Sequence, residues 1–408
     1  MIRVLELFAG IGACSKALTN LGIEHEIVAA VEIDKYAIKS FNAIHGTNFE
    51  PQDITKWDKD IKADLIMHGS PCQDFSVAGK NAGGDEGSGT RSSLLYETLR
   101  IVEKVQPDIV IWENVKNLLS KRHKHNHEAY VQRMSDMGYD SVTQILNAKD
   151  YGVPQNRERV FTLSIKRGSK LVKSYTRPEP RPLEIRLKDM LEKEVDEKFY
   201  IKDATSLTPG ANFDTINGGT IGKMHDISRR AYHVDAVAPA MHTCGGGNTE
   251  AKIKLPGAYG RNFGSKGKLQ DENGAVQTLQ AGMGEGGGNI PIIPIRTANK
   301  KGYDIAIDGD GIDLSYPNST TRRGRVGHGV SKTISTGGGD NMGTLDGFRI
   351  RKLTPRECWR LMGFDDADFD KAQAIGTSNS QLYKQAGNSI VVNCLEAIFN
   401  GIEWGDNG

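Results

Sequence analysis

Over the first 165 residues, short apolar runs rich in β-branched side chains alternate with segments whose apolar residues recur at helical spacing. This alternation predicts strands and helices in turn, and hence a parallel sheet with helices on both faces. The predicted strands occupy residues 4–8, 26–34, 63–69, 107–115 and 159–165. We therefore expect an α/β domain, with ligands bound at the carboxyl ends of its strands.

The middle of the chain has a different pattern, with short strand-like pieces separated by Gly, Asn and Asp. Residues 204–346 hold 27 of the 47 glycines, which predicts an irregular, mostly β small domain. Three segments there, 237–248, 275–289 and 330–341, each carry a triple glycine followed by Asn or Asp. Three copies of a hairpin with a glycine loop would explain this repeat, as would loops whose backbone approaches a ligand closely.

Helical patterns return after Gly347. Thr354 and Pro355 form an N-cap and first helical residue, and 385–402 is typical of a turn followed by a buried helix. We expect these segments to rejoin the large domain. The predicted organisation is an N-terminal catalytic part at 1–176, an inserted domain at 177–347 and a completing segment at 348–408.

Bulk composition restricts the location of the protein more than its function. The formal net charge of +1 neither indicates nor excludes a nucleic-acid partner, because a local basic face is compatible with it. The five cysteines form no CxxC pair or zinc-like cluster, so we expect no metal and a reducing compartment. No apolar run approaches the ~20 residues of a membrane span, which favours a cytoplasmic protein.

Three features near predicted strand ends indicate a cofactor site. Phe8-Ala9-Gly10-Ile11-Gly12 joins the first strand to a helix, Glu32 ends the second strand, and Asp53 follows it. Glycines let the backbone approach a ligand, and a carboxylate at Glu32 suits ribose hydroxyls. The trio fits an adenosine-containing cofactor. The full GxGxxG fingerprint is absent, which argues against a dinucleotide-dependent oxidoreductase.

Candidate catalytic side chains follow the next strands. Cys72 lies on a loop after strand 63–69, where a thiolate would be accessible, although a buried structural role is the commoner fate of a cysteine. Glu113 ends an apolar strand and needs a partner or a function. Arg157 and Arg159 alternate, so strand spacing predicts the same side for both.

The order of these motifs resembles that of the DNA (cytosine-5)-methyltransferase family of bacteria and phages. The resemblance covers residues 1–165 and 348–400 and rests on FAGIG, VEID, PCQ, WENV, QNRER, LTPREC, RLMGF and QAGNS. It implies a Rossmann-like, S-adenosylmethionine-dependent methyltransferase domain, with the glycine-rich insertion as a target-recognition domain for double-stranded DNA.

In that family's mechanism, Cys72 would add to carbon 6 of a flipped cytosine, and carbon 5 would take the methyl group. Glu113 would hydrogen-bond ring nitrogen 3 and the exocyclic amine, while Arg159 would hold the base carbonyl. Arg157 would support the loop and the charge balance, and Gln73 would help to position the loop. The cofactor pocket implied by the resemblance is lined by Phe8, Gly10, Gly12, Glu32, Asp53, Ile54, Pro71, Leu94, Asn388 and Ile390.

Candidate DNA contacts lie in the insertion. Arg322, Arg323 and Arg325 form the strongest basic cluster there, although a solvated turn would look the same. Thr278 and Thr333, each followed by an aliphatic residue, match a Thr-aliphatic pair often found in the family's recognition domains.

Two alternatives stay open. A tRNA cytosine-5 methyltransferase shares the PCQ and ENV blocks but usually has a small variable region, whereas residues 177–347 are about 170 long. A catalytically inactive DNA-binding homologue is disfavoured because Cys72, Glu113, Arg157 and Arg159 are all present. We expect a monomer used in restriction-modification or phage self-protection, with any cognate endonuclease acting separately.

Overall fold

The structure is a computed structural model. It describes residues 1–70, 94–199, 231–233, 252–254, 258–259, 291–299, 302–307, 309–316, 319, 321–331, 333, 342–346 and 349–405. The chain divides into two compact units: the first comprises residues 1–185, 333–339 and 355–408, and the second residues 186–332 and 340–354.

A six-stranded sheet forms the centre of the first unit, with strand order β2-β1-β3-β4-β6-β5. The N-terminal part of the first unit contains these six strands and a seventh, β7, outside the sheet. The strands are β1 (Ile2–Leu7), β2 (His25–Val31), β3 (Leu65–His68), β4 (Ile109–Val115), β5 (Tyr139–Asn147), β6 (Glu158–Lys166) and β7 (Val172–Tyr175). The four α-helices of this part are α1 (Ala13–Asn20), α2 (Lys35–His45), α3 (Leu95–Val105) and α4 (Lys124–Asp136). Short 3-10 helices cover Ile54–Lys56, Lys116–Leu119 and Ala148–Tyr151.

The strand directions confirm part of the sequence prediction and correct the rest. Strands β1 to β4 are parallel where they pair, as predicted. Strand β6, which contains the predicted run 159–165, is antiparallel to both β4 and β5. The reason is its connection: β5 and β6 are joined by a short segment with one 3-10 turn and no crossover helix, so the chain reverses direction.

Four C-terminal helices complete the first unit: α5 (Pro355–Arg360), α6 (Asp366–Ala374), α7 (Asn379–Asn388) and α8 (Val392–Asn400). The predicted helix start at Pro355 and the predicted buried helix within 385–402 are confirmed, but residues 385–388 end helix α7, so the predicted turn is confined to 389–391. Helix α8 packs on α1, and α6 packs on α2. Lys16 Nζ lies 2.7 Å from carboxylate oxygens of both Asp365 and Asp368, which ties α1 to the start of α6.

The described strands of the second unit form three small sheets. They are β8 (Ala231–His233), β9 (Lys252–Lys254), β10 (Ala258–Tyr259), β11 (Pro291–Arg296), β12 (Tyr303–Ile307), β13 (Gly311–Asp313), β14 (Val326–Gly327), β15 (Met342–Asp346) and β16 (Arg349–Lys352). The sheets are β8-β9, β10-β11-β12 and β14-β13-β15-β16, and 3-10 helices lie at Leu187–Met190 and Glu197–Phe199. In the first unit, β17 (Ile402–Trp404) pairs with β7.

Candidate active site

The turn after β1 has an unusual backbone. Phe8, Gly10 and Gly12 have φ angles of 54°, 57° and 83°, and Gly12 precedes the first residue of α1. A Cβ at Gly12 would lie 2.1 Å from His45 Nε2, so only glycine fits there, whereas a Cβ at Gly10 would meet no atom within 4 Å. The turn is therefore tightly packed at Gly12 and open at Gly10.

Glu32 lies directly beside this turn. Its Oε2 accepts a hydrogen bond from Gly10 N–H at 3.0 Å, and its Oε1 accepts one from Asp34 N–H at 2.8 Å. Burial raises the pKa of Glu32, and the two backbone donors partly oppose that rise. Each carboxylate oxygen still has a lone pair for a second donor.

Asp53 and its neighbours are attached to the same strand ends. Gln52 N–H donates to the carbonyl of Glu32 at 2.8 Å, and Asp53 accepts from the N–H and hydroxyl of Thr55. Phe8 and Leu94 both pack against the apolar cluster that contains Ile54. The structure thus brings the predicted Phe8, Gly10, Gly12, Glu32, Asp53, Ile54 and Leu94 together near the carboxyl ends of β1 and β2.

A second group of side chains lies at the ends of β4 and β6. Arg159 Nε is 3.0 Å from Glu113 Oε1, and the two side chains are 18% and 12% exposed. A Cβ at Gly69 would lie 3.6 Å from Glu113 Oε2 and 3.7 Å from Ile390 Cδ1. A side chain at position 69 would therefore contact the Glu113 carboxylate, which glycine avoids.

Ser70 is held by two neighbours of Glu113 that the motif analysis did not single out. The indole N–H of Trp112 donates to Ser70 Oγ at 3.0 Å, and the Asn114 amide donates to the Ser70 carbonyl at 3.3 Å. Strand alternation could have indicated this, because Trp112 and Asn114 flank Glu113 and point to the other face. Pro71, Cys72 and Gln73 follow immediately, outside the residues that the structure describes.

The two arginines have different partners. Arg157 is buried and donates from Nη2 to the carbonyls of Gly387 and Ser389, at 3.2 and 2.9 Å, on either side of the exposed Asn388. The Gln155 amide, also missed as a functional contact, donates to the Leu361 carbonyl at 2.6 Å. The QNRER segment thereby fixes the segment that carries Asn388 and Ile390, while Arg159 alone pairs with Glu113.

The cysteines in the described residues do not fit a nucleophile. Cys14, Cys358 and Cys394 are buried and form no disulfide. Burial raises the pKa of Cys394 to about 12 and that of Cys14 well above its usual value. Such thiols stay protonated near neutral pH and are inaccessible to a substrate.

The predicted DNA contacts require a correction. Arg325 is fully buried, and its guanidinium donates to the carbonyls of Asp313, Ser315 and Tyr316, so it is not available to a phosphate. Arg322 is half-buried against Asp313, and Arg323 is exposed. Thr333 donates to the Asn156 carbonyl at 2.9 Å, and Thr278 lies outside the described residues.

Metal-binding groups and membrane-spanning helices are both absent from the described residues. In the part of the chain that the structure describes, no three His, Cys, Asp or Glu side chains come together as a metal-binding group. No helix within the same ranges is long and apolar enough to cross a membrane.

The fold is that of solved methyltransferases. Dnmt2 of S. pombe matches with a TM-score of 0.52 at 16% identity, over 98% of this chain and 97% of that chain. A putative DNA modification methyltransferase encoded within an E. coli prophage matches with a TM-score of 0.54 at 21% identity, over 98% of both chains. These likenesses confirm the predicted Rossmann-like methyltransferase fold.

The chain belongs to the C-5 cytosine-specific DNA methylase family, whose model matches residues 2–404. The orphan methyltransferase M.SPRI of Bacillus phage SPR is 33% identical, over 98% of this chain and 96% of its own length. The type II methyltransferase M2.ScrFI of Lactococcus lactis subsp. cremoris is 30% identical, over 98% of each chain. The predicted family is confirmed, and the protein is a DNA cytosine-5 methyltransferase.

Proposed function

We propose that the chain methylates carbon 5 of a cytosine flipped out of double-stranded DNA, with Cys72 as the nucleophile and S-adenosylmethionine as the methyl donor. The observation that carries this proposal is the Glu113–Arg159 pair, 3.0 Å apart and next to Gly69, two residues before the PCQ motif. The three described cysteines are buried, which leaves Cys72 and Cys244, and of these two Cys72 lies in the PCQ motif.

Glu113 and Arg159 can exchange their mutual contact for contacts with the base. Arg159 would donate to the base carbonyl, and protonated Glu113 would donate to ring nitrogen 3 and accept from the exocyclic amine. Because each group gains a hydrogen-bonding partner as it leaves the other, neither is left buried and unpaired. Flipping costs a few kcal/mol of stacking and pairing, which these contacts help to offset.

The reaction balances as an addition followed by an elimination. The Cys72 thiolate would form a bond to carbon 6, and the electrons displaced to carbon 5 would attack the methyl group, whose bond to the sulfonium sulfur would break to leave S-adenosylhomocysteine. Carbon 5 then loses its proton to a base, the carbon–sulfur bond breaks, and Cys72 leaves as a thiolate. Arg157 acts indirectly, by holding the carbonyls on either side of Asn388.

The residues near Gly10 fit S-adenosylmethionine, which would supply the electrophilic methyl group. The open space beside Gly10 leaves room for a ligand, and Glu32 can accept from ribose hydroxyls with its remaining lone pairs. Asp53 would accept from the adenine amine, and Phe8, Ile54 and Leu94, which pack in or against one apolar cluster, would offer apolar contact. Pro71, Asn388 and Ile390 would complete the pocket. The proposal includes no metal.

We assign target recognition to the second unit and a self-protective role to the methylation. The relatives include orphan methyltransferases of Bacillus phages, which supports self-protection of phage or host DNA. Under this proposal the enzyme acts on DNA in the cytoplasm as a monomer, and any cognate endonuclease acts separately. Arg323 is the retained candidate for a phosphate contact, together with Thr278 and Thr333.

Bisulfite sequencing tests the proposed function directly. Plasmid DNA from cells expressing the wild type should carry 5-methylcytosine at one or a few short sequences, and Cys72→Ser should carry none. Cys394→Ser is the matched control, since a buried thiol should be dispensable for chemistry. Absence of methylation by a folded wild type that binds S-adenosylmethionine would contradict the proposal.

A further inference from the structure

A turn in the second unit is held from inside by a buried arginine. Arg325 donates to the backbone carbonyls of Asp313 at 3.0 Å, Ser315 at 2.8 Å and Tyr316 at 2.6 Å. Asp313 Oδ1 also accepts from Ser315 N–H at 2.9 Å. Burying a guanidinium costs free energy unless it is hydrogen-bonded. Here its hydrogen bonds all go to the backbone that leads to Tyr316, so they fix that backbone.

Tyr316 itself is strained and exposed. Its φ of 48° lies in the left-handed region, which is unfavourable for a bulky residue, and its side chain is 74% exposed. Its carbonyl accepts from Ser319 N–H at 2.9 Å as well as from Arg325. The apolar cluster of this unit, centred on Ile312, does not include Tyr316. Packing in this unit therefore does not account for the ring, and strain of this kind is typical of functional sites.

One guanidinium group lies beside the ring. The Arg322 guanidinium carbon lies 5.8 Å from the centre of the Tyr316 ring, and Asp313 fixes it through contacts of 2.8 and 2.6 Å. Arg323 follows and is exposed. Burial lowers the pKa of Arg325, the Asp313 carboxylate opposes that shift, and the charges of Arg322 and Arg296 add to it.

We propose that Tyr316, Arg322 and Arg323 form a DNA-contacting surface, the Tyr316 surface, on which the ring stacks against an exposed base and Arg323 meets a phosphate. Aromatic rings bind unstacked bases without regard to their identity, and a guanidinium behind the ring strengthens such contacts. Base flipping disturbs the stack and so supplies a base face for the ring. The proposal rests on the proposed function for the identity of the substrate.

Tyr316→Gly separates a binding role from a structural one. Glycine relieves the left-handed strain, so the melting temperature should stay the same or rise while the ring is lost. DNA affinity should fall about tenfold or more, because stacking is the interaction removed. Tyr316→Phe keeps the ring and should bind within about twofold of the wild type, and Arg323→Ala should lower the salt slope by about one.

The measurement is fluorescence anisotropy of the full chain with a labelled duplex that covers a methylated sequence from the bisulfite experiment, or with a pool of random-sequence duplexes where no 5-methylcytosine forms. Tyr303→Ala, an exposed tyrosine of the same unit, is the control and should bind as the wild type does. Wild-type affinity of Tyr316→Gly, or a loss of affinity that tracks a loss of stability, would overturn the Tyr316 surface. A wild type that binds DNA but forms no 5-methylcytosine would contradict the proposed function alone.

Discussion

The hydrogen bond from Trp112 to Ser70 can be isolated with a double-mutant cycle. Both residues are buried, at 1% and 3% exposure, and the donor–acceptor distance is 3.0 Å. Ser70→Ala leaves the indole N–H without its acceptor, which should cost about 1–3 kcal/mol of unfolding free energy. Trp112→Phe removes the same bond from the other side and adds a packing loss, because the indole stacks between His68 and His127.

Since both changes remove the same bond, the double variant should be less destabilised than the sum of the single variants by about 1 kcal/mol. The assay is urea unfolding of the wild type, both single variants and the double variant. Single-turnover methyl transfer provides a second measurement. Ser70→Ala should slow transfer and leave S-adenosylmethionine affinity unchanged, because Ser70 lies two residues before Cys72.

Ser40→Ala provides a matched control, because Ser40 is also a buried hydroxyl and accepts a hydrogen bond from Gln385 at 3.0 Å. It should lose similar stability without slowing methyl transfer by the folded enzyme. Additive unfolding energies for Ser70→Ala and Trp112→Phe, within about 0.5 kcal/mol, would refute the reasoning. An equal slowing of transfer by Ser40→Ala would refute its catalytic part.

Three further predictions concern other parts of the first unit. Gly12→Ala should lower the free energy of unfolding by roughly 3 kcal/mol, because the added Cβ would lie 2.1 Å from His45 and the backbone is left-handed there. Urea unfolding measures this loss, and a variant as stable as the wild type would contradict the prediction. Burial raises the pKa of Glu6 to about 7, so its carboxyl stays protonated in the folded state after the unfolded chain has ionised. Stability should therefore fall by about 3 kcal/mol between pH 4.5 and 7, and Glu6→Gln should flatten that slope in pH-dependent unfolding, whereas an unchanged slope would exclude this origin. Arg157→Met should lower the free energy of unfolding by about 3 kcal/mol and weaken S-adenosylmethionine binding, because the Gly387 and Ser389 carbonyls lose their donor. Calorimetry measures the binding, and Arg157→Lys should not restore it. A variant that binds the cofactor normally would show that Arg157 does not position Asn388.

Local sequence signals were sufficient to predict which residues of the candidate site lie at strand ends. The run before Phe8, the acidic end of β2 at Glu32 and the apolar strand before Glu113 each mark a strand end. Because strand ends of a parallel sheet meet at one edge, their proximity follows from topology without knowledge of side-chain contacts.

Contacts between distant segments could not be predicted in the same way. The reversal at β6 depends on a connection without a helix, and the strand-like run 159–165 has the same composition in either direction. Arg325 looks like a surface charge in the sequence, since nothing local shows that three carbonyls enclose it. The Trp112–Ser70 bond joins residues 42 positions apart, beyond any helical or strand periodicity.

The hydrogen bonds between the QNRER segment and the C-terminal segment have a consequence for folding during synthesis on the ribosome. The carbonyl partners of Gln155 and Arg157 lie 206 to 232 residues downstream, and the carboxylate partner of Lys16 lies 349 residues downstream. Contacts of such long sequence separation form slowly, and the apolar face of α1 that α8 covers has no cover until then. The first half of the nascent chain should therefore keep apolar surface exposed during synthesis, and DNA methylation can begin only after the last helix has been made.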